Sequence, residues 1–278
     1  MLFDDAPESG KDRRNKLFRY NPIWKFYGEY FPIKLHCSVP LDPSKTYVMG
    51  YHPHGICSLG AWGNFATEGT GFSKTFPGIT NSLLTLTSNF RIPLYRDYLL
   101  FHGVHSVSRR SCENILRRGP GSAITIVVGG AEESLIARPN SLDLVLKKRL
   151  GFIKMAIRTG SSLVPILSFG EADIFEQLDN EPTSKLFKMQ QFVKRCCGFT
   201  IPLIHARGIF NYNFGLIPYR RPINTVVGKP IHTKYNPEPE MAEVKIIQAE
   251  YIAELKRMWD EHKNKYATHR KHELRLVE

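Results

Sequence analysis

Short apolar runs alternate along the chain with segments of mixed polarity. Four runs have the length and composition of buried strands, and each stops at a Gly or Pro signal or a polar cluster. They are residues 46–51, 123–128, 162–168 and 224–228. Two longer segments carry apolar residues at three- and four-residue steps, which is typical of amphipathic helices, and they cover residues 143–159 and 243–266.

Strands that alternate with helices predict an α/β fold with a central sheet flanked by helices. Ligands of such sheets bind beyond the carboxyl ends of the strands. Here the first predicted strand runs into His52-Pro53-His54-Gly55, and the second runs into Gly129-Gly130 with Glu133 just after it. The sequence therefore predicts a site built from these two strand ends.

Size and composition indicate one globular domain. The chain has 278 residues, 42% hydrophobic and 23% charged, and no linker-like segment divides it. We expect a polar basic N-terminal arm at residues 1–19 and a catalytic or binding domain at 20–278. The apolar runs are shorter than the roughly 18–20 residues of a membrane-spanning helix, so the chain as given is not expected to cross a bilayer.

A formal net charge of +12 predicts an anionic partner such as nucleic acid, anionic lipid or a phosphorylated substrate. Nucleic acid is disfavoured because no helix-turn-helix, zinc finger, RRM or KH pattern is present. The five cysteines lack CxxC spacing and fit reduced thiols in a protein facing the cytosol. The aromatic and basic stretch at residues 24–34 suits either a helix packed on the domain or an interfacial membrane contact.

His52 and His54 are the sharpest local feature. Two residues apart in extended backbone, their imidazoles are predicted to project to the same face and address one pocket. Three interpretations compete: hydrogen-bonded structural histidines, metal ligands that lack an evident third ligand, and a general base.

The motifs around this pair resemble those of the diacylglycerol acyltransferase 2 family, in fungal-like form. The resemblance extends over almost the whole chain, because the matching blocks occur in family order. Besides Tyr51-His-Pro-His-Gly55 they are Tyr30-Phe-Pro32, Gly60-Ala-Trp-Gly-Asn-Phe65, Phe76-Pro-Gly78, Asn89-Phe-Arg-Ile-Pro93, Val107-Ser-Arg109, Val127-Val-Gly-Gly-Ala131, Glu133-Ser-Leu135, Gly151-Phe-Ile-Lys154, Leu163-Val-Pro-Ile166, Phe169-Gly-Glu171, His205-Ala-Arg-Gly208, Gly215-Leu-Ile-Pro-Tyr219 and Val226-Val-Gly228.

The resemblance implies a single-domain glycerolipid-acyltransferase-like α/β fold and acyl transfer from acyl-coenzyme A to diacylglycerol. It implies His54 as the base, with His52 orienting it or joining an oxyanion-stabilising network. The wider acyltransferases orient the base with an Asp in His-x4-Asp, but here Cys57 follows His52 at that spacing and Leu59 follows His54. Glu133 is therefore the candidate orienting group. The implied substrate-binding residues are Pro53, Gly55, Arg109, Gly129, Gly130, His205 and Arg207.

Arg109 is expected to contact coenzyme A phosphates, because diacylglycerol carries none, and Arg110, Arg117 and Arg118 are expected to extend that patch. Amides around Gly55 and Ile56 are expected to bind the thioester oxyanion.

The implied partners are acyl-coenzyme A, diacylglycerol and a membrane or lipid-droplet surface, with no metal and no cofactor, since acyl-coenzyme A is a substrate. The expected location is the cytosolic face of the endoplasmic reticulum membrane and lipid droplets, and the sequence leaves an oligomer open. Family members carry a hydrophobic hairpin ahead of the Tyr30-Phe-Pro32 motif, and this sequence starts where that hairpin would end. We therefore expect peripheral binding to lipid.

Four alternatives stay open. Monoacylglycerol or a long-chain alcohol is a plausible acceptor instead. A noncatalytic protein that binds acyl-coenzyme A or lipid surfaces and a metal-dependent hydrolase using the His pair are more remote. So is acyl transfer through Cys57 or Cys112, whose thiols lack an evident His partner.

Overall fold

A computed structural model describes residues 4–177, 203–210, 212 and 214–277. Its centre is a seven-stranded sheet with the order β1-β10-β7-β2-β5-β3-β4. The strands are β1 (Ile33–Cys37), β2 (Tyr47–His52), β3 (Thr80–Thr85), β4 (His105–Ser106), β5 (Ser122–Val127), β6 (Asp143–Val145), β7 (Ser162–Phe169), β8 (Glu176–Gln177), β9 (Ile204–His205), β10 (Ile223–Val227) and β11 (Arg275–Val277).

Helices cover both faces of this sheet. The α-helices are α1 (Lys16–Arg19), α2 (Ile23–Tyr30), α3 (Leu59–Ala61), α4 (Phe72–Thr75), α5 (Tyr95–Phe101), α6 (Arg109–Leu116), α7 (Gly130–Ile136), α8 (Gly151–Thr159) and α9 (Met241–Tyr266). A π-helix follows α3 at Trp62–Ala66, and a 3-10 helix spans Thr87–Arg91. The predicted α/β architecture and the four predicted strands are confirmed.

Strands β2 and β7 are buried along their whole length because both faces of the sheet are covered. In β2, Val48 faces one hydrophobic cluster and Met49 faces the other, as the two-residue period of a strand requires. The first cluster includes Ile157 of α8 and Leu255 of α9. Strands β7, β2, β5, β3 and β4 run parallel, whereas β10 pairs antiparallel with β7. The carboxyl ends of β2, β5 and β7 therefore share one edge.

The helix predicted over residues 143–159 is only partly correct. Residues Asp143–Val145 form β6, which pairs with β11, and the helix begins at Gly151. Pairing with residues some 130 positions away along the chain decides this, and no local pattern reveals it. The C-terminal helix is confirmed as Met241–Tyr266.

The N-terminal residues predicted as an arm contact the rest of the domain. Arg19 forms a buried ion pair with Glu68 at 3.1 Å, and Arg96 holds Asp4 at 2.8 Å. Within the described part of the chain, no helix has both the length and the apolar character needed to cross a membrane.

Candidate functional site

Three polar segments meet where β2, β5 and β7 end. His52 closes β2 beside Leu167 of β7, and Tyr51 lies beside Val127, the last residue of β5. Gly129 and Gly130 follow β5, and Gly170-Glu171 follows β7. The structure therefore brings the His-Pro-His-Gly segment, Glu133 and Glu171 together, as the shared edge predicts.

His52 and His54 do not address one pocket, which corrects the prediction from their spacing. Strand β2 ends at His52, so the extended alternation does not continue to His54. His52 is fully buried, and its Nε2 lies 2.9 Å from the Tyr251 hydroxyl. That hydroxyl donates to the Gly50 carbonyl, so His52 donates to it through Nε2.

Burial lowers the pKa of His52 to about 3, so its ring is neutral at ordinary pH. With its Nε2–H committed to Tyr251, His52 is a structural link between β2 and α9. The interpretation of this residue as a hydrogen-bonded structural histidine fits its position better than an oxyanion role.

His54 is the histidine that lines a cavity. Its Nδ1 lies 3.1 Å from the carbonyl oxygen of Gly55. A carbonyl only accepts, so Nδ1 carries the proton and Nε2 keeps its lone pair. Burial lowers the pKa of His54, which keeps the imidazole neutral and able to accept a proton at neutral pH.

Glu133 does not orient the imidazole, contrary to expectation. Its Oε2 accepts the backbone N–H of His54 at 2.7 Å, and its Oε1 accepts that of Val145 at 2.7 Å. The carboxylate thus fixes the backbone that carries His54, while the Gly55 carbonyl orients the ring. Burial raises the pKa of Glu133 to about 7.

Gly129 makes room for that carboxylate. A Cβ on Gly129 would lie 1.8 Å from Cδ of Glu133, so a side chain cannot occupy this position while Glu133 keeps its place. The glycine pair was expected to admit a ligand. At Gly129 it admits a side chain instead, whereas Gly130, with φ 60°, lines the His54 cavity.

Glu171 is a site residue that sequence reasoning quoted within a motif but gave no role. It is fully buried, accepts a hydrogen bond of 2.5 Å from the Tyr51 hydroxyl, and accepts the Gly60 amide at 3.0 Å. Burial raises its pKa to about 7. Glu133 and Glu171 therefore hold the two sides of the segment that carries His54. The available signal was a Gly-Glu pair directly after a buried strand.

The cavity that His54 lines has a volume of about 370 Å³, and the described residues that line it include no Asp, Glu, Lys or Arg. Its other walls come from the loop after His54, the π-helix, β3, α5, β5 and α7. Representative lining residues are Ile56, Cys57, Trp62, Leu84, Leu86, Tyr95, Leu99, Val107, Ile126 and Ser134. Such an apolar cavity with one neutral base suits an uncharged, largely hydrocarbon substrate.

A larger cavity of about 450 Å³ lies on the other side of the His-Pro-His-Gly segment. Pro53 lines it, but neither histidine does. Pro53 and Gly55 also line a small gap of about 10 Å³ beside Glu133. These two predicted substrate-binding residues therefore face away from the His54 cavity.

Arg109 lies at the start of α6, is 63% exposed, and pairs with Glu113 at 2.7 Å. It lines a groove of about 440 Å³ next to the His54 cavity. Arg110, Arg117 and Arg118 do not line this groove, which corrects the expected extension of the patch.

His205 and Arg207 do not join the His54 cavity. His205 lies in the two-stranded β8-β9 sheet, 3.5 Å from Glu176, and Arg207 stacks over the Tyr212 ring at 4.9 Å. Both residues therefore lie apart from the His54 cavity, in this separate sheet and the loop after it. The sequence pattern alone did not reveal this separation.

Helix α2 contains most of the aromatic and basic stretch at residues 24–34, and it has features of both a packed helix and an interfacial membrane contact. Its inner side packs, because Tyr27 donates to the Leu59 carbonyl and the Trp24 ring meets the Trp62 ring edge-on at 5.9 Å. Its outer side exposes Ile23 and Phe26, which is 67% accessible.

The chain is similar to known proteins over almost its whole length. The diacylglycerol acyltransferase family model matches residues 1–277. Diacylglycerol O-acyltransferase 2B of Umbelopsis ramanniana is 54% identical over 100% of this chain and 80% of its own length. Diacylglycerol O-acyltransferase 1 of Schizosaccharomyces pombe is 50% identical over 99% of this chain and 80% of its own. The crystal structure of the 1-acyl-sn-glycerophosphate acyltransferase of Thermotoga maritima superimposes with a TM-score of 0.46 and 12% identity, covering 87% of this chain and 80% of that one.

Proposed function

This chain belongs to the diacylglycerol acyltransferase family, and from that premise we propose that it esterifies diacylglycerol with the acyl group of acyl-coenzyme A, using His54 as general base. The observation that supports this role is the protonation pattern of His54. Its Nδ1–H is engaged by the Gly55 carbonyl, so Nε2 is the free base on the wall of an uncharged cavity.

The reaction follows from that geometry. The acceptor hydroxyl oxygen attacks the thioester carbonyl carbon while Nε2 of His54 takes the hydroxyl proton. The tetrahedral intermediate then expels the coenzyme A thiolate, which recovers the proton from Nε2. The products are an ester, triacylglycerol, and free coenzyme A. No metal, cofactor or covalent enzyme intermediate is needed in this sequence of steps.

The intermediate places a negative charge on the former carbonyl oxygen, which needs a donor. Ile56 lines the cavity directly after the His-Pro-His-Gly segment. Within the described residues, its amide donates no hydrogen bond. We assign this amide the oxyanion role, in keeping with the expectation for Gly55 and Ile56.

The acceptor is dissolved in lipid, so the enzyme must meet a membrane or a lipid droplet. Exposed apolar side chains support two contact regions, one on α1–α2 and one at residues 92–95, where α5 begins and Tyr95 lines the cavity. They are Leu17, Ile23 and Phe26, and Ile92, Leu94 and Tyr95. We propose that these regions dock on the cytosolic face of the endoplasmic reticulum membrane and on lipid droplets.

The test is transfer of a radiolabelled acyl group from acyl-coenzyme A to liposomes that contain diacylglycerol, monoacylglycerol or a long-chain alcohol. We expect diacylglycerol to be the best acceptor. His54→Ala should lower turnover by about 10²–10⁴-fold, the usual contribution of a general base. The matched control is His232→Ala, because His232 contacts Ser162 at the opposite edge of the sheet.

Turnover retained in His54→Ala would remove this residue from the mechanism. A preference for another acceptor would change the substrate but leave the base in place. Flotation of the protein with the same liposomes separates failure to bind lipid from failure of chemistry.

A further inference from the structure

A basic groove adjoins the His54 cavity. Val107 and Ile126 line both spaces, so they stand at the junction between them. The groove is formed by the start of α6, the end of β5, residues 148–150 and helix α8. Its volume is about 440 Å³, close to that of the reaction cavity.

The two spaces differ sharply in charge. Among the residues that the structure describes, no Lys or Arg lines the His54 cavity, whereas five basic residues and no acidic residue line the groove. These five are Arg109, Lys148, Arg149, Lys154 and Arg158. They come from three separate segments of the chain, so the fold gathers the positive charge around one concave surface.

Neighbouring carboxylates neutralise only part of this charge. Arg109 pairs with Glu113, and Arg149 pairs with Glu132. Across the described ranges, Lys154 and Arg158 have no acidic partner. They lie four residues apart and thus on the same face of α8.

Arg158 also carries an unsatisfied donor. Its Nε is buried and has no hydrogen-bond partner among the described residues. A buried donor without an acceptor is costly, and a guanidinium is well matched to phosphate oxygens. The groove therefore has the positive charge for an anionic ligand, and apolar walls at Leu150 and Phe152 for a flat ring.

We propose that this groove binds the 3′-phosphorylated ADP end of coenzyme A, with Lys154 and Arg158 as its main phosphate contacts. The pantetheine arm then passes Val107 and Ile126 and delivers the thioester to His54. The inference rests on the proposed function, since the other substrate, diacylglycerol, carries no phosphate. It assigns the nucleotide to α8 and leaves Arg109 at the rim.

The test compares two acyl donors, oleoyl-coenzyme A and oleoyl-pantetheine, which lacks the nucleotide end. For Lys154→Gln/Arg158→Gln we expect the KM for oleoyl-coenzyme A to rise by about tenfold or more, equivalent to about 1.4 kcal/mol, with kcat nearly unchanged. With oleoyl-pantetheine the variant should match the parent. Lys256→Gln is the control, because Lys256 is exposed on α9 and lines neither space.

An unchanged KM for oleoyl-coenzyme A, or an equal defect with both donors, would overturn the assignment. The single variant Lys154→Gln provides the same comparison if loss of Arg158 disturbs folding, which a melting curve would show.

Calorimetry with adenosine 3′,5′-bisphosphate tests the groove without turnover. Binding by the parent and Lys256→Gln, and its loss in Lys154→Gln, would support the groove even if the parent transferred no acyl group and the proposed function failed. No binding by the parent would refute the nucleotide site.

Discussion

Replacing Gly129 with Ala tests whether the Glu133 carboxylate holds the backbone of His54. The added Cβ would lie 1.8 Å from Cδ and 2.1 Å from Oε2 of Glu133, so the carboxylate must leave its place. The backbone of Gly129 is right-handed helical, with φ −66° and ψ −33°, so alanine causes no backbone strain there. Any loss of stability therefore arises from the displaced side chain.

The structure sets the size of the effect. Displacement breaks a partly buried hydrogen bond from the His54 amide and a buried one from the Val145 amide, each 2.7 Å long. At a pH above the Glu133 pKa of about 7 the carboxylate is charged. Hydrogen bonds to a charged group contribute about 1.5–3 kcal/mol each, so at such a pH Gly129→Ala should lower the free energy of unfolding by about 3–6 kcal/mol. Glu133→Ala breaks the same two bonds. The double variant should then be no less stable than Glu133→Ala alone, which gives a coupling energy of about 3–6 kcal/mol.

The assay is urea unfolding of the parent, both single variants and the double variant, together with acyl transfer by each. Gly130→Ala is the matched control, because its Cβ would meet nothing within 4 Å. At its φ of 60° that variant carries only the left-handed penalty of about 1–2 kcal/mol. Additive effects of the two single changes, or a smaller loss in Gly129→Ala than in Gly130→Ala, would refute this account of Glu133.

Two further predictions concern the chemistry. Since burial lowers the pKa of His54 and the neutral ring is the base, protonation of His54 should lower kcat/KM with a midpoint below about 6.5, the ordinary histidine pKa. A midpoint above that value that persists in Glu133→Gln would contradict this. Burial raises the pKa of the Cys57 thiol, which disfavours a thiolate nucleophile. After incubation with radiolabelled acyl-coenzyme A in the absence of an acceptor, the denatured protein should therefore carry no label. Label that disappears in Cys57→Ser would instead establish an acyl-cysteine intermediate.

Local sequence determined the parts of the fold that depend on short-range pattern. The apolar runs predicted β2, β5, β7 and β10, and the helical spacing from Val244 to Met258 predicted α9. Two-sided burial makes such strands continuously apolar, so they are visible without any knowledge of their neighbours. The His-Pro-His-Gly segment was also visible in the sequence, because Pro and Gly end a strand locally.

Tertiary structure decided which groups meet at the site. The spacing of His52 and His54 suggested a shared pocket, but Tyr251, 199 positions from His52, takes one imidazole into the core. The Gly129 and Glu133 pattern suggested a ligand and an orienting carboxylate, yet the carboxylate reaches backbone amides of two other segments. Because these partners are so far apart in the sequence, no periodic pattern near either residue indicates the contact. The sequence by itself determined where the strands end and that a histidine follows one of them; only the packing of β2, β5, β7 and α9 decided which histidine faces the cavity and what holds it there.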